Sequence, residues 1–461
     1  MAHQAHNIAW DPLTSNLRPT FPHHPCPQPC NFFVRNKPNQ IQDITYFLDT
    51  FVNNIQEHTR CERDKYEKSY NSPGMEEVLV TDQALRRITP TILRARLFQE
   101  GIYNSSRNYD TLFGGKYSLY RRKLPIEVQK NAAPCRHDMA DLQCGCVVPF
   151  RERQAAAFLR KYEYDYRRSF VQDETLSFFN MEVVKALILH NQMEPILRVC
   201  AHPDNGMQHW RQLSKPQEEV PQHDYQYHYD RGLGWEEVYV SALDAYLALN
   251  ICYRFPELWD TGSGRTTVRD YRNTRLYQTM MRECTGRGDT SEMAKFPHRD
   301  FFGIEDGAIE RYSYDKRPML ATKDGLPSAT IPFPIFLARC RWYDRPPRPS
   351  HAAASYTRAI LQHKGLPTEI VTEILDLADH KPMGRLLRPH NPLHVDNWEE
   401  LRKYLTYCWQ LVIRCDMMAR EMGVDIPWRS LVISRLSRLL STPSGGCFGK
   451  YDCWTDTWSL K

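Results

Sequence analysis

Residues 397–423 read NWEELRKYLTYCWQLVIRCDMMAREMG, and their periodicity decides the fold class. Trp398, Leu401, Leu405, Cys408, Val412, Cys415, Ala419 and Met422 recur at alternating steps of three and four. At 3.6 residues per turn, such steps gather the apolar side chains into one stripe along a helix. Asn397 stands where an N-cap belongs, with Glu400 three residues later as a capping-box partner. Gly423 follows as a C′ stop. Glu399 and Lys403 have the spacing of an i,i+4 ion pair. The stripe is roughly three and a half heptads long, so it reads as intramolecular core, with a partner-facing coil as the alternative.

A second helix is expected from Pro427, with Trp428, Val432, Leu436 and Leu439 along one side. Arg429, Arg435 and Arg438 fall off that stripe and read as a solvated face. Toward the N-terminus, Ile41, Ile44, Phe47, Leu48, Phe51, Val52 and Ile55 repeat the helical spacing. Residues 83–99 are helical on both sides of Pro90, and helices are expected over 151–168, 181–200 and 234–254. No train of alternating strands is visible, so the predicted class is mainly α, a multi-helix globular protein with long irregular loops.

The expected organisation has four parts. Residues 1–38, rich in Pro and His, read as disordered or extended, and residues 39–331 as a mainly helical domain. Periodicity fades over about 255–350 into turn-rich sequence, and the proline cluster at 332–350 reads as a linker. Residues 351–461 form a C-terminal helical unit.

Composition narrows the function classes. The chain has 461 residues, 60 basic and 55 acidic side chains and a net charge of +5, a balance that implies neither nucleic acid nor an acidic surface as partner. No stretch approaches the ~20 apolar residues needed to cross a bilayer. The first residues lack the basic and apolar regions of a secretory signal. Fourteen dispersed cysteines do not make a compact disulfide scaffold, and a reducing cytoplasmic or nuclear compartment is the expectation.

Residues 363–380, HKGLPTEIVTEILDLADH, carry the most specific signal. Gly365 breaks the preceding chain, Pro367 suits a first helical turn, and Glu369 favours the helix dipole. Ile370, Ile374 and Leu377 form one apolar row, with Val371, Leu375 and Ala378 beside it. A helix of this kind can bury one row and offer the other to a partner.

The pattern L-P-x-E-I-x-x-x-I-L at Leu366, Pro367, Glu369, Ile370, Ile374 and Leu375 resembles the opening of an F-box. That module attaches substrate receptors to the Skp adaptor of cullin–RING ubiquitin ligases. The longer segment, about 360–435, is similar to F-box-like regions of filamentous-fungal proteins. The resemblance implies docking of the Skp adaptor through these six residues, with the preceding helical region as substrate receptor and no catalytic residues or cofactor. The loop RPHNPLHVDNWEE and the long helix after it depart from the usual second half of an F-box.

Chemical candidates are weaker. Cys135, His137, Cys144 and Cys146 offer a tetrahedral donor set for zinc, but C-x-H with C-x-C is not knuckle spacing. Cys26 with Cys30, the stretch HDYQYHYD at 223–230, and Cys200 with His202 and His209 could supply ligands or acid–base groups, but Cys26 and Cys30 lack a nearby second pair, and ordinary hydrated side chains are the preferred reading of the others. DTGSGRTT at 260–267 lacks the Lys-Ser/Thr ending of a phosphate loop, and Arg287-Gly288-Asp289 reads as coincidence. The sequence therefore points to a non-catalytic interaction protein, with a helical scaffold or a metal-dependent enzyme as the alternatives.

Overall fold

The computed structural model describes residues 7–20, 31–35, 38–89, 91–92, 148, 150–159, 183–205, 236–259, 269–285, 292–304, 333, 336, 351–377 and 386–440. They are mainly helical, with one two-stranded sheet. In chain order the main helices are α1 (Trp10–Ser15), α2 (Gln40–Arg63), α3 (Met193–Cys200), α4 (Glu236–Tyr253), α5 (Arg275–Thr285) and α6 (Glu292–Phe302). They continue with α7 (His351–His363), α8 (Thr368–Leu377), α9 (Trp398–Glu421) and α10 (Trp428–Leu440).

The long helix α9 lies against both α4 and α2, while α5 packs on α4, α6 and α10. One apolar core runs from Ile8 to Leu440. At its centre the buried Trp409 ring lies 5.0 Å from Tyr246 and 5.8 Å from Phe51. Its indole N–H donates to His58 Nδ1 at 2.8 Å, so a large apolar ring is buried with its one polar atom satisfied. The apolar stripe read from residues 397–423 thus serves the chain's own core. α9 ends in a Schellman motif: Gly423 takes φ 69°, its N–H reaches Arg420 O, and the Val424 N–H reaches Ala419 O.

The N-terminal stretch differs from the disorder expected of 1–38. Strand β1 (Leu17–Thr20) pairs antiparallel with β2 (Asn31–Val34), Leu17 opposite Val34. Trp10, Leu13, Leu17 and Phe32 are buried, and Trp10 packs 5.3 Å from Phe47. A few large apolar side chains are enough to hold a Pro-rich segment to the helices. Phe333 and Phe336, at the start of the stretch read as a linker, are likewise buried.

The turn-rich reading of 255–350 is corrected over part of its length, because α5 and α6 lie within it. Every residue of α5 is buried, including Arg275, Gln278, Arg282 and Glu283. Leu276, Tyr277, Met280, Met281 and Cys284 keep a helical spacing, but the polar residues between them are enclosed as well, which the pattern does not show. α4 is likewise buried all round from Tyr239 to Cys252, apart from the half-buried Val240.

Of the three arginines of α10, Arg429 and Arg438 are exposed as expected, whereas Arg435 is drawn inward, and all three are ion-paired. Arg429 pairs with Asp49 of α2. Arg435 donates to both oxygens of the fully buried Asp244 of α4, Nε at 2.7 Å. Arg438 reaches Glu283 of α5 at 2.7 Å. Each guanidinium fastens α10 to a different helix.

Asn397 is also not the cap that its position suggested. Its side chain makes no capping bond. Instead Nδ2 donates to the carbonyls of Arg388 and Asn391 at 2.8 and 2.6 Å, and Oδ1 accepts from the Arg388 N–H at 2.8 Å. The buried amide closes the loop before α9. Lys403 reaches Glu400 at 2.7 Å, an i,i+3 pair.

Candidate functional site

Helices α7 and α8 form a hairpin whose turn follows from its residues. Gly365 takes φ 82°, the left-handed region that a side chain disfavours. Its N–H reaches Gln362 O at 2.9 Å and the Leu366 N–H reaches Leu361 O at 3.3 Å, a Schellman closure of α7. Pro367, with no N–H to place, gives its carbonyl to the Val371 N–H at 3.0 Å and so starts α8. Gln362 Nε2 donates across the turn to Thr368 Oγ1 at 3.2 Å.

The two apolar rows of α8 go to different places. Val371 and Leu375 are buried, whereas Ile370 is 43% and Ile374 is 36% exposed. On α7, Ala354 is buried and Thr357 and Leu361 are half-buried, while Tyr356 is 70% and Ile360 is 42% exposed. In both helices the exposed pair precedes an inward-facing pair by one position, a rotation of about 100°. With α8 folded back along α7, equal rotations in opposite chain directions bring the four side chains to one side of the hairpin. Ala354, Val371 and Leu375 are not part of the main core.

The six residues singled out from the sequence therefore share one hairpin, but in different roles. Leu366 is half-buried in the turn, Pro367 and Glu369 are exposed, and Leu375 faces inward. Ile370 and Ile374 are the large apolar side chains among them that stay exposed. Tyr356 and Ile360 complete the patch and were not among the expected contacts. Their i,i+4 spacing on α7 was a readable signal, but nothing in the sequence shows that this row stays uncovered.

Elsewhere, several of the described thiols and phenols are buried. Cys61, Cys200, Cys252, Cys284, Cys408 and Cys415 are free thiols. Burial pushes the thiols of Cys200, Cys252, Cys408 and Cys415 far above the ordinary cysteine range, which suppresses the nucleophilic thiolate. Burial similarly raises the phenols of Tyr246, Tyr271, Tyr277 and Tyr404. Tyr404 O–H pairs with His298 Nδ1 inside the core. His202 Nδ1 accepts from the Asp204 N–H at 3.1 Å, a local turn.

Among the described residues no group of three His, Cys, Asp or Glu side chains could hold a metal ion. Cys135, His137, Cys144 and Cys146 lie outside the described residues, as do Cys26, Cys30, His209, 223–230, 260–267 and 287–289. No described helix is long and apolar enough to cross a membrane.

A family profile described as Gramillins biosynthetic cluster protein GRA5 matches residues 12–443. The match spans nearly the whole chain, which therefore belongs to this family. No curated protein and no solved structure matches it.

Proposed function

We propose that this member of the gramillins-cluster GRA5 family acts by binding another protein through the α7–α8 hairpin, without catalytic residues of its own. One observation carries the reading: Tyr356, Ile360, Ile370 and Ile374 are large apolar side chains left exposed on a hairpin outside the main core. Large exposed apolar side chains gathered in one place mark interaction sites, whereas scattered ones are ordinary. The helix-in-groove mode uses anchors of this i,i+4 kind. The raised phenols and thiols are consistent with a non-catalytic role.

The finer reading follows the F-box resemblance. Leu366, Pro367, Glu369, Ile370, Ile374 and Leu375 would engage a Skp-type adaptor of a cullin–RING ubiquitin ligase, in the cytoplasm or nucleus. The helical body would present the substrate, in service of a biosynthetic cluster such as the one in the family's description. The burial of α9 and α10 in the common core favours a second reading, a helical scaffold whose hairpin docks a protein outside the ubiquitin system.

Co-expression of the full chain with a fungal Skp adaptor, followed by affinity capture, tests the first reading. Ile370→Ser/Ile374→Ser is the informative variant, because both side chains are exposed and the fold should survive. Capture of the intact chain but not of the folded variant supports adaptor docking. Equal capture of both, or capture of neither, removes it.

A further inference from the structure

Arg153 closes a small structure remote from the hairpin. Residues 75–80 run beside 153–156: the Leu79 and Val80 N–H groups donate to Arg153 O at 2.8 and 3.1 Å, and Ala155 N–H donates to Glu77 O at 2.9 Å. Val78 and Gln154 form an antiparallel bridge. This pairing draws the Arg153 side chain inward, to 3% exposure. Nη1 reaches Asp82 Oδ1 at 2.6 Å, and the guanidinium lies over the Phe150 ring, 5.9 Å from its centroid. Nε and Nη2 are buried and meet no hydrogen-bond acceptor.

Those two nitrogens are not an arbitrary pair. They form one edge of the guanidinium, with parallel N–H bonds spaced to match two oxygens of a carboxylate or phosphate. Buried guanidinium N–H groups are normally satisfied, so an unmet fork is specific chemistry. The surroundings add to it. Thr81 caps the helix over 82–89, its Oγ1 accepting from the Ala84 N–H at 3.3 Å, so the positive end of that helix lies beside Asp82, the ion-pair partner of Arg153. The Asp82 side chain is 53% exposed and Phe150 is half-buried, so the ion pair lies close to the protein surface.

We propose that the Nε/Nη2 edge of Arg153 anchors a binding site for a small oxyanion, the carboxylate or phosphate group of a metabolite. The site is independent of the docking role of the hairpin. Phe150 covers one face of the guanidinium, Asp82 holds its Nη1 end in place, and the remaining edge takes two oxygens of the ligand.

The full chain is titrated with inorganic phosphate and, separately, with acetate, each against sodium chloride at matched ionic strength to remove screening effects. Thermal unfolding and calorimetry follow binding, since a ligand of the folded state raises the melting temperature. A saturable response to either anion is expected. Response to phosphate alone marks a phosphate ester as the ligand class, to acetate alone a carboxylate, and to both a general oxyanion site. Arg153→Lys should weaken binding by about tenfold or more, because an ammonium keeps the charge but loses the fork. Asp82→Asn should strengthen it several-fold by removing a like charge next to the anion. Arg153→Met should abolish it, and if that variant does not fold, the Lys and Asn variants decide. The proposal is overturned if neither anion acts beyond sodium chloride, or if Arg153→Lys responds like the intact chain.

Discussion

Arg414 places two nitrogens on one oxygen of Glu62, with Nε at 2.9 Å and Nη2 at 2.7 Å from Oε1. The pair joins α9 to α2 across 352 residues of sequence. The same guanidinium donates to Ile188 O and Asn191 Oδ1, so three separate segments meet at one side chain. Asn191 sits at φ 58°, in the turn between the helix over 183–189 and α3.

Neutralising Glu62 leaves the nearly buried Arg414 guanidinium with only the uncharged acceptors Ile188 O and Asn191 Oδ1. Glu62→Gln should therefore cost about 3 kcal/mol of folding stability, at the lower end for a broken buried pair. Urea denaturation of the two chains measures the difference. A cost below about 1 kcal/mol would place the pair with ordinary surface salt bridges.

The pair also sets a pH dependence. Desolvation by burial pushes the Glu62 carboxyl up, but the hydrogen bond from Lys65 and the charge and hydrogen bonds of Arg414 outweigh it, so its pKa falls below the usual carboxylate value of 4.5. A depressed folded-state pKa gives stability that is present above the unfolded value and lost as pH falls through the folded one. Unfolding followed from pH 7 to pH 3 should show this loss begin near pH 4.5, and Glu62→Gln should flatten that part of the curve.

Trp409 is wholly buried against Tyr246, Phe51 and His58. Trp409→Ala should cost about 3–5 kcal/mol, through lost transfer energy and the cavity left behind. Trp409→Phe should cost less, about 1–3 kcal/mol, since most of the ring contact survives while the N–H to His58 is lost. Thermal unfolding of both variants checks the order.

Asn397 allows its two readings to be separated. If it caps α9, Asn397→Ser should be nearly neutral, because serine is an equally good N-cap. As a buried clamp on Arg388 and Asn391 it cannot be replaced by a shorter hydroxyl. Asn397→Ser and Asn397→Ala should then lose a similar amount, about 2 kcal/mol, from unsatisfied backbone groups. Equal stability of the Ser variant and the intact chain in denaturant would restore the capping role.

In the hairpin, neighbouring residues should respond oppositely. Ile370→Ser and Ile374→Ser change exposed positions and should shift stability by no more than about 0.5 kcal/mol. Leu375→Ala removes a buried side chain and should cost about 2 kcal/mol or more. Because these buried residues are separate from the main core, the loss should appear as faster hydrogen exchange confined to 351–377 rather than as global unfolding.

The sequence by itself determined the helices with a regular apolar spacing, although α9 is buried on all sides from Leu411 to Ala419. The 3–4 spacing of α2 and α9, the glycines that end α7 and α9, and the two rows of α8 are local patterns, set by 3.6 residues per turn and by the backbone freedom of glycine. Tertiary structure alone decided which groups meet. α5 keeps the helical spacing of Leu276, Met280 and Cys284, but its polar residues are buried too, and that enclosure comes from its neighbours. The ion pairs of Arg429, Arg435 and Arg438 could not be read because Asp49, Asp244 and Glu283 lie far away in sequence. Asn397 is a clamp rather than a cap because its amide finds three backbone partners closer than the helix end. Burial and ion pairing are properties of the assembled neighbourhood, and no periodicity within a helix records which neighbour will stand opposite it.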